Sequence, residues 1–279
     1  MRTSAVLLAV VSASLLAAAA WIMLRSHRDT RRSSDDSNTC IGGGGPTNYD
    51  SYVLATEWTG TVCRMNKCDP TRPNESNWFN LHGLWPNVWN DPTKSPQACS
   101  TIPLNYNNLP ASTQDDINLH WNGLYSPTIT FIDHEWSKHG TCWIPSFNTS
   151  SDISKVPLSL QPLVSQAIAD YASGTITSND FILVALSLSN MYNFRSILSK
   201  HNIVPDNTKA YTMVQIQQAI QAELQVSLLN IYCSKNPTDG RIMLGEIRIC
   251  LDLQYNPINC MKNTVGGCSS SVYFLPDTN

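Results

Sequence analysis

Near both ends of the chain, apolar and polar residues alternate with a period of two, the pattern of a half-buried β-strand. The alternation predicts two early strands over residues 52–58 and 77–82, and three late strands over residues 226–233, 242–253 and 272–275. Between them, apolar residues recur three and four positions apart, which is typical of helices that bury one face.

Helices are predicted over residues 113–121, 158–173, 180–200 and 213–224. Ser112 and Asp180 are expected to cap the first and third of these helices, and Gly174 is expected to end the second. Strands at both ends with helices between them predict a single α+β domain with a central antiparallel sheet and several packed helices.

The N-terminal residues predict a targeting segment rather than part of this domain. A charged start is followed by an uncharged apolar run with small residues at positions 17–20, so residues 1–20 are predicted to be a signal peptide. An uncleaved anchor reaching residue 24 is the alternative, because about 20 apolar residues span a bilayer. Residues 25–48 are rich in Arg, Ser, Asp and Gly and predict a disordered linker or pro-segment, which leaves residues 49–279 for the folded domain.

Charge and cysteine content indicate which classes of protein are excluded and in which compartment the chain folds. Charged residues make up 14% of the chain and the net charge is −3, which argues against a tight nucleic-acid-binding module. Nine cysteines indicate an oxidising compartment. Cys40 lies in the linker, where it is free, bonded to another molecule or removed by processing. The other eight allow many pairings, and their positions alone do not choose among them.

The densest chemistry lies in residues 134–142, with the sequence HEWSKHGTC. On a helix, positions four apart share a face, so His134 lies over Lys138 and Glu135 over His139, while Trp136 faces the core. Gly140 is expected to end the helix. The alternative is a solvated charged face. A zinc site is disfavoured, because two histidines five residues apart on a regular helix do not bind one ion together.

A second stretch, HGLWP at residues 82–86, follows the strand over residues 77–82. The period of two places Phe79 and Leu81 on one face and His82 on the other, next to a glycine that allows close approach to a ligand. His82 alone would be read as a structural histidine.

The two motifs, in this order, resemble the signature of the ribonuclease T2 family, the acid ribonucleases of fungal, plant self-incompatibility and animal lysosomal types. The resemblance covers residues 50–275, and the stretch between Cys142 and Asp180 is longer than the family pattern needs, as an insertion would be. It implies an endoribonuclease that cleaves single-stranded RNA without metal or cofactor and leaves 2′,3′-cyclic phosphates.

The resemblance also implies roles for five residues. His139 would be the general base on the 2′-hydroxyl and His82 the general acid for the departing 5′-oxygen. His134 would hold the phosphate, and Lys138 and Glu135 would stabilise the transition state. Histidines titrate near neutral pH, which suits both proton transfers.

Two further residues would contact the base. Trp85 resembles the family residue that stacks on a base, with a core tryptophan as the alternative. Asn87 stands where several members carry an aspartate, and an amide both donates and accepts hydrogen bonds, so base preference is open. Low base specificity is expected.

By similarity to the plant and animal members, the disulfides are predicted to be Cys63–Cys68, Cys99–Cys142, Cys233–Cys268 and Cys250–Cys260. Sequons at Asn74 and Asn148 predict glycosylation.

We therefore expect a monomeric secreted or lysosomal ribonuclease, with no stable membrane partner if the signal peptide is cleaved. The alternative from another class is a catalytically silent secreted binding or effector protein on the same fold.

Overall fold

The computed structural model describes residues 49–72, 78–143 and 153–277. The predicted signal peptide, the linker with Cys40 and the sequons at Asn74 and Asn148 lie outside these residues.

A mixed sheet built from both ends of the domain carries the fold. Its strands are β1 (Ser51–Trp58), β2 (Phe79–Asn87), β3 (Ala210–Thr212), β4 (Asn230–Lys235), β5 (Ile242–Leu251), β6 (Pro257–Ile258), β7 (Thr264–Gly266) and β8 (Ser271–Tyr273). The main strand order is β2-β1-β5-β4-β7, with β6 and β8 beside β5 and β3 beside β8.

The sheet departs from the antiparallel prediction at two pairings. In the described ranges β4 with β7 and β5 with β8 are parallel, while the other five pairings are antiparallel. Residue alternation marks a strand but not its direction, and parallel partners require a connection that crosses over rather than a tight hairpin.

The helices are α1 (Thr59–Met65), α2 (Ala111–His120), α3 (Thr128–Lys138), α4 (Gln161–Ser173), α5 (Ser178–Met191), α6 (Phe194–Lys200) and α7 (Met213–Leu224). As predicted, α4 ends at Gly174, whose φ of 75° is the left-handed conformation that glycine adopts readily.

The predicted helix over residues 180–200 is wrong in its continuity, because the chain breaks at Tyr192 and restarts at α6. The side chain of Asn193 caps α6 by accepting a hydrogen bond from the Ser196 N–H. Tyr192 leaves helical geometry, and its hydroxyl donates to the buried Tyr255 carbonyl at 2.8 Å. The run Ser178–Lys200 has the length and composition to cross a membrane, but 61% of its apolar window is buried inside the protein, as in a core helix.

Two predicted caps are also wrong. Thr177 caps α5, and Asp180 completes the capping box from the third helical position. Ser112 does not cap α2, which follows Pro110, because the Pro110 carbonyl already accepts from the N–H groups of Thr113 and Gln114.

Phe181 of α5 organises the core next to the α3 helix. Its ring lies 5.8–6.1 Å from the rings of Trp121, Trp136 and Trp143. Burial of a phenylalanine contributes about 1.5–3 kcal/mol, and here it holds the end of α3 against the helical layer. The predicted burial of Trp136 is confirmed at 4% exposure.

Four disulfides close the domain, and they are the four pairs that the resemblance implied. Cys99–Cys142 joins the loop before α2 to the turn after α3. The described residues form one α+β domain, so the predicted fold class is confirmed.

Removal of Cys99–Cys142 by the double substitution to alanine should destabilise the protein by about 4 kcal/mol, because this bond closes a long loop of the unfolded chain. The matched control is the double substitution at Cys63 and Cys68, whose short loop predicts a loss of about 2 kcal/mol. Urea unfolding of both variants measures the difference, and an equal or reversed order would contradict this account.

Candidate active site

Strand β2 and helix α3 bring the two sequence motifs together. Phe79 and Leu81 are buried on one face of β2, while the side chain of His82 is 31% exposed on the other, as the alternation predicted. The strand pairing steps from Ala55–Gly83 to Thr56–Leu81, so His82 is the extra residue of a β-bulge. Bulges re-aim side chains next to active sites.

Glu135 of α3 is a buried carboxylate, 2% exposed, that faces His82. Its Oε2 accepts a hydrogen bond from Trp85 Nε1 at 2.8 Å, and its Oε1 lies 3.9 Å from His82 Nε2. Burial raises the pKa of Glu135 above its ordinary value, against the opposing influence of His82 and Trp85.

His139 lies directly after the last residue of α3, and its N–H donates to the Glu135 carbonyl at 3.0 Å. Its ring is 5.2 Å from the ring of Trp85. Burial lowers the pKa of His139 to about 3, with further lowering by the charges of Lys138, His134 and His82. A neutral imidazole is therefore the stable form from mildly acidic to neutral pH.

Gly140 serves a different purpose from the one expected. The helix ends at Lys138, and Gly140 has no left-handed φ. A Cβ at this position would collide with the rings of Trp136 and Phe181. The glycine allows the turn after His139 to pack directly on the aromatic core.

His134 and Lys138 lie on the more accessible side of the same helix. His134 is exposed and Lys138 is half-buried. The charges of both act on Glu135 and on His139, so the four ionisable groups of the motif are close enough to influence one another; their common role in one site stays a prediction.

His82 has the opposite electrostatic environment to His139. Its Nδ1 lies 2.9 Å from Glu246 Oε1 on β5. Burial alone would lower the pKa of His82, but the hydrogen bond with Glu246 and the nearby Glu57 and Glu135 outweigh burial, and the pKa is raised. The two histidines flank Trp85, whose ring is 5.0 Å from His82.

Three charged residues of the site were missed from the sequence: Glu57, Glu246 and Arg248. Glu57 of β1 faces Glu246 in the strand register. Arg248 donates to Glu246 Oε2 at 2.8 Å. The signal was available in β5, where two charged residues two positions apart interrupt an otherwise apolar strand and therefore share a face.

Trp85 is half-buried rather than a core residue, and several groups already engage it. Its N–H donates to Glu135, and the guanidinium of Arg248 lies 4.9 Å from its ring centroid. These contacts fit a role in holding Glu135. Base stacking by Trp85 stays a prediction.

Asn87 is buried, with 7% exposure, and its amide group forms hydrogen bonds within the protein. Its Nδ2 donates to Ser51 Oγ at 3.0 Å, and its Oδ1 accepts from Ser95 Oγ at 3.1 Å. Recognition of a base by Asn87 stays a prediction, and only the second N–H and a remaining lone pair would serve it.

Two clefts adjoin this site, one lined by each of the two histidines. The larger, of about 600 Å³, is lined by His139, Trp85, Arg248, Trp89 and Lys262 among others. The smaller, of about 200 Å³, is lined by His82, Glu57, Glu246 and Tyr125 among others, and Tyr232 borders both clefts. Within the described ranges, no three His, Cys, Asp or Glu side chains are grouped so as to hold a metal ion.

Comparison with known proteins gives this site its class, that of the endoribonucleases. Residues 49–260 match the sequence model of the ribonuclease T2 family, and the chain belongs to that family. The family predicted from the two motifs is thus confirmed.

Relatives of known name are similar over most of the chain. Ribonuclease DdI of Dictyostelium discoideum is 27% identical over 231 residues, which cover 82% of this chain and 86% of the relative. Extracellular ribonuclease LE of Solanum lycopersicum is 26% identical over 234 residues, which cover 81% and 87%. The solved structure of RNase NT in complex with 5′-AMP has the same fold, with a TM-score of 0.63 at 24% identity over 82% of this chain and 99% of that chain.

Substitution of Gly83 by alanine should disrupt the site while leaving the fold in place. A Cβ at Gly83 would collide with Glu135 Oε2 and Trp85 Nε1, the two partners of the buried hydrogen bond. We expect about a 100-fold loss of ribonuclease activity, the lower end of what one displaced catalytic group costs.

Gly174→Ala is the matched control, since open space surrounds Gly174 and only its backbone conformation is strained. It should lower stability modestly and leave activity unchanged. Full activity in a folded Gly83→Ala protein would show that the Trp85–Glu135 contact is dispensable.

Proposed function

We propose that this protein is a secreted or endolysosomal endoribonuclease that cleaves single-stranded RNA by metal-independent transesterification with low base specificity. The observation that carries the proposal is the pair of histidines flanking Trp85 with pKa values shifted in opposite directions. Titratable groups whose surroundings separate their pKa values are suited to the roles of acid and base.

The neutral His139 accepts the proton of the 2′-hydroxyl while the 2′-oxygen forms a bond to phosphorus. The bond from phosphorus to the 5′-oxygen breaks, and the protonated His82 gives its proton to that oxygen. The products are a 2′,3′-cyclic phosphate and a free 5′-hydroxyl. Hydrolysis of the cyclic phosphate to a 3′-phosphate follows with the two roles reversed.

The remaining residues of the motif act on the phosphate. His134 binds a phosphoryl oxygen, and Lys138 stabilises the negative charge that develops on the five-coordinate phosphorus. The raised pKa of Glu135 favours its neutral form at acidic pH, in which the carboxyl group donates a hydrogen bond to a phosphoryl oxygen.

The two clefts give the RNA a path through the site. The nucleosides on either side of the scissile phosphate would occupy them, with Trp85 and Asn87 beside the base in the larger cleft. The Asn87 amide already bonds to Ser51 and Ser95, which leaves little of it to read a base and supports low base specificity.

The proposed route to the cell exterior begins with a signal peptide over residues 1–20, followed by a linker over residues 25–48 and a catalytic domain over residues 49–279. Four disulfides support an oxidising compartment. One relative is named an extracellular ribonuclease. The protein acts as a monomer, without a cofactor, and carries glycans at Asn74 and Asn148.

Cleavage of a short single-stranded RNA in excess EDTA tests the function directly. We expect a 2′,3′-cyclic phosphate terminus by mass spectrometry, at an unchanged rate with the chelator, because two histidines and a lysine supply the chemistry. Loss of activity with EDTA would point to a metal-dependent hydrolase. No cleavage by the folded, oxidised protein would favour the silent binding protein.

The pH dependence tests the assignment of the two histidines. The rate should be bell-shaped, limited on the acid side by protonation of His139, whose pKa is about 3, and on the alkaline side by deprotonation of His82, whose pKa is raised. His82→Ala and His139→Ala should each remove at least ~100-fold of the activity.

The matched control is His201→Ala, a surface histidine bonded to Glu223 and outside both motifs. It should keep the full rate and the same profile. Substantial turnover by a folded His139→Ala protein would refute the assignment of the base.

A further inference from the structure

We propose that Glu246 is a positioning residue for the reaction: it binds His82 through Nδ1, so that Nε2 carries the transferable proton toward the substrate. The inference rests on the proposed function, in which His82 is the general acid. It adds a residue from β5, far from both motifs in the sequence.

The geometry gives each oxygen of Glu246 one partner. Oε1 accepts from His82 Nδ1 at 2.9 Å, and Oε2 accepts from Arg248 at 2.8 Å. The Nδ1 proton of His82 is donated to Glu246. The other ring nitrogen, Nε2, lies 3.9 Å from Glu135 Oε1, on the catalytic side. A carboxylate bound to one imidazole nitrogen fixes the ring orientation and the tautomer.

Arg248 is itself held in place, which makes the carboxylate rigid. The guanidinium lies over two aromatic rings, 4.9 Å from the Trp85 centroid and 4.4 Å from the Tyr232 centroid. Cation–π contacts with two rings restrict the guanidinium more than a surface ion pair would. His82, Glu246, Arg248 and Trp85 therefore form a closed chain of contacts around the acid.

Three carboxylates and one imidazole face His82 from the surrounding elements: Glu57 of β1, Glu135 of α3, Glu246 of β5 and His139 at the end of α3. Burial raises the pKa of Glu57 and of Glu135. Burial acts the same way on Glu246, but its hydrogen bonds to His82 and Arg248 prevail and its pKa is lowered. Glu246 is thus the carboxylate that keeps its negative charge at acidic pH.

Two substitutions of Glu246 separate the effect of its charge from its effect on the orientation of the His82 ring. Glu246→Gln keeps an oxygen that accepts from Nδ1 but removes the charge, so kcat should fall by about tenfold. The alkaline limb of the kcat profile should move about one pH unit toward lower pH, because His82 loses a charge that favours its protonated form. Glu246→Ala also removes the orientation and should lower kcat by about 100-fold with KM within about twofold of wild type.

Glu223→Gln is the matched control. Glu223 also binds a histidine, His201 at 3.2 Å, and a cation, Lys200 at 2.7 Å, but on the exposed surface away from the site. This variant should leave kcat, KM and the pH profile unchanged. A Glu246→Gln profile that coincides with wild type, or a Glu246→Ala effect confined to KM, would overturn the proposal.

Titration of the histidine ring nitrogens by NMR tests the contact without relying on turnover. The His82 pKa should fall in Glu246→Gln and stay constant in Glu223→Gln, and an unshifted His82 would overturn the proposal even if kcat fell. If Glu246→Ala does not fold, the glutamine variant carries the test. A shifted His82 in a protein that cleaves no RNA would contradict the proposed function and not the role of Glu246.

Discussion

The site depends on keeping one carboxylate, that of Glu135, out of water. A buried carboxyl group is costly unless it is hydrogen-bonded. Trp85 supplies that bond from strand β2, across the boundary between sheet and helix. The same contact fixes the distance between the two motifs, because Trp85 is three residues from His82 and Glu135 is four residues from His139. Gly83 has to be a glycine for the two elements to approach this closely.

The second constraint is electrostatic. Eight ionisable groups from β1, β2, β5, α3 and the residue that follows α3 lie close together, and they divide into two neighbourhoods. His139 is close to cationic groups, and their charges add to the effect of burial in lowering its pKa. His82 faces carboxylates, which reverse the effect of burial. Two identical side chains thus acquire different chemistry from their surroundings alone.

Sequence reasoning found the parts of the site that are local in the chain. Positions four apart on a helix predicted the grouping of Glu135 with His139, and strand alternation predicted the face of His82. Both periodicities follow from backbone geometry within one element. The helix ends were less predictable, because the break at Tyr192 is set by a hydrogen bond to the distant Tyr255.

The charged groups around His82 could not be located from the sequence, since their positions depend on which strands are neighbours. Glu246 and Arg248 lie more than 160 residues from His82 and reach it only because β1 pairs with both β2 and β5. The bulge at His82 is likewise a property of the pairing register between β1 and β2, which no single strand encodes.

The Cys99–Cys142 disulfide places a condition on where the enzyme works. Cys142 follows His139 by three residues, and the turn Gly140–Cys142 connects the disulfide to the proposed general base. Reduction of this bond would release the loop before α2 from the turn that follows His139, the proposed general base. If His139 is the base, activity would depend on the oxidising compartment that keeps this disulfide intact.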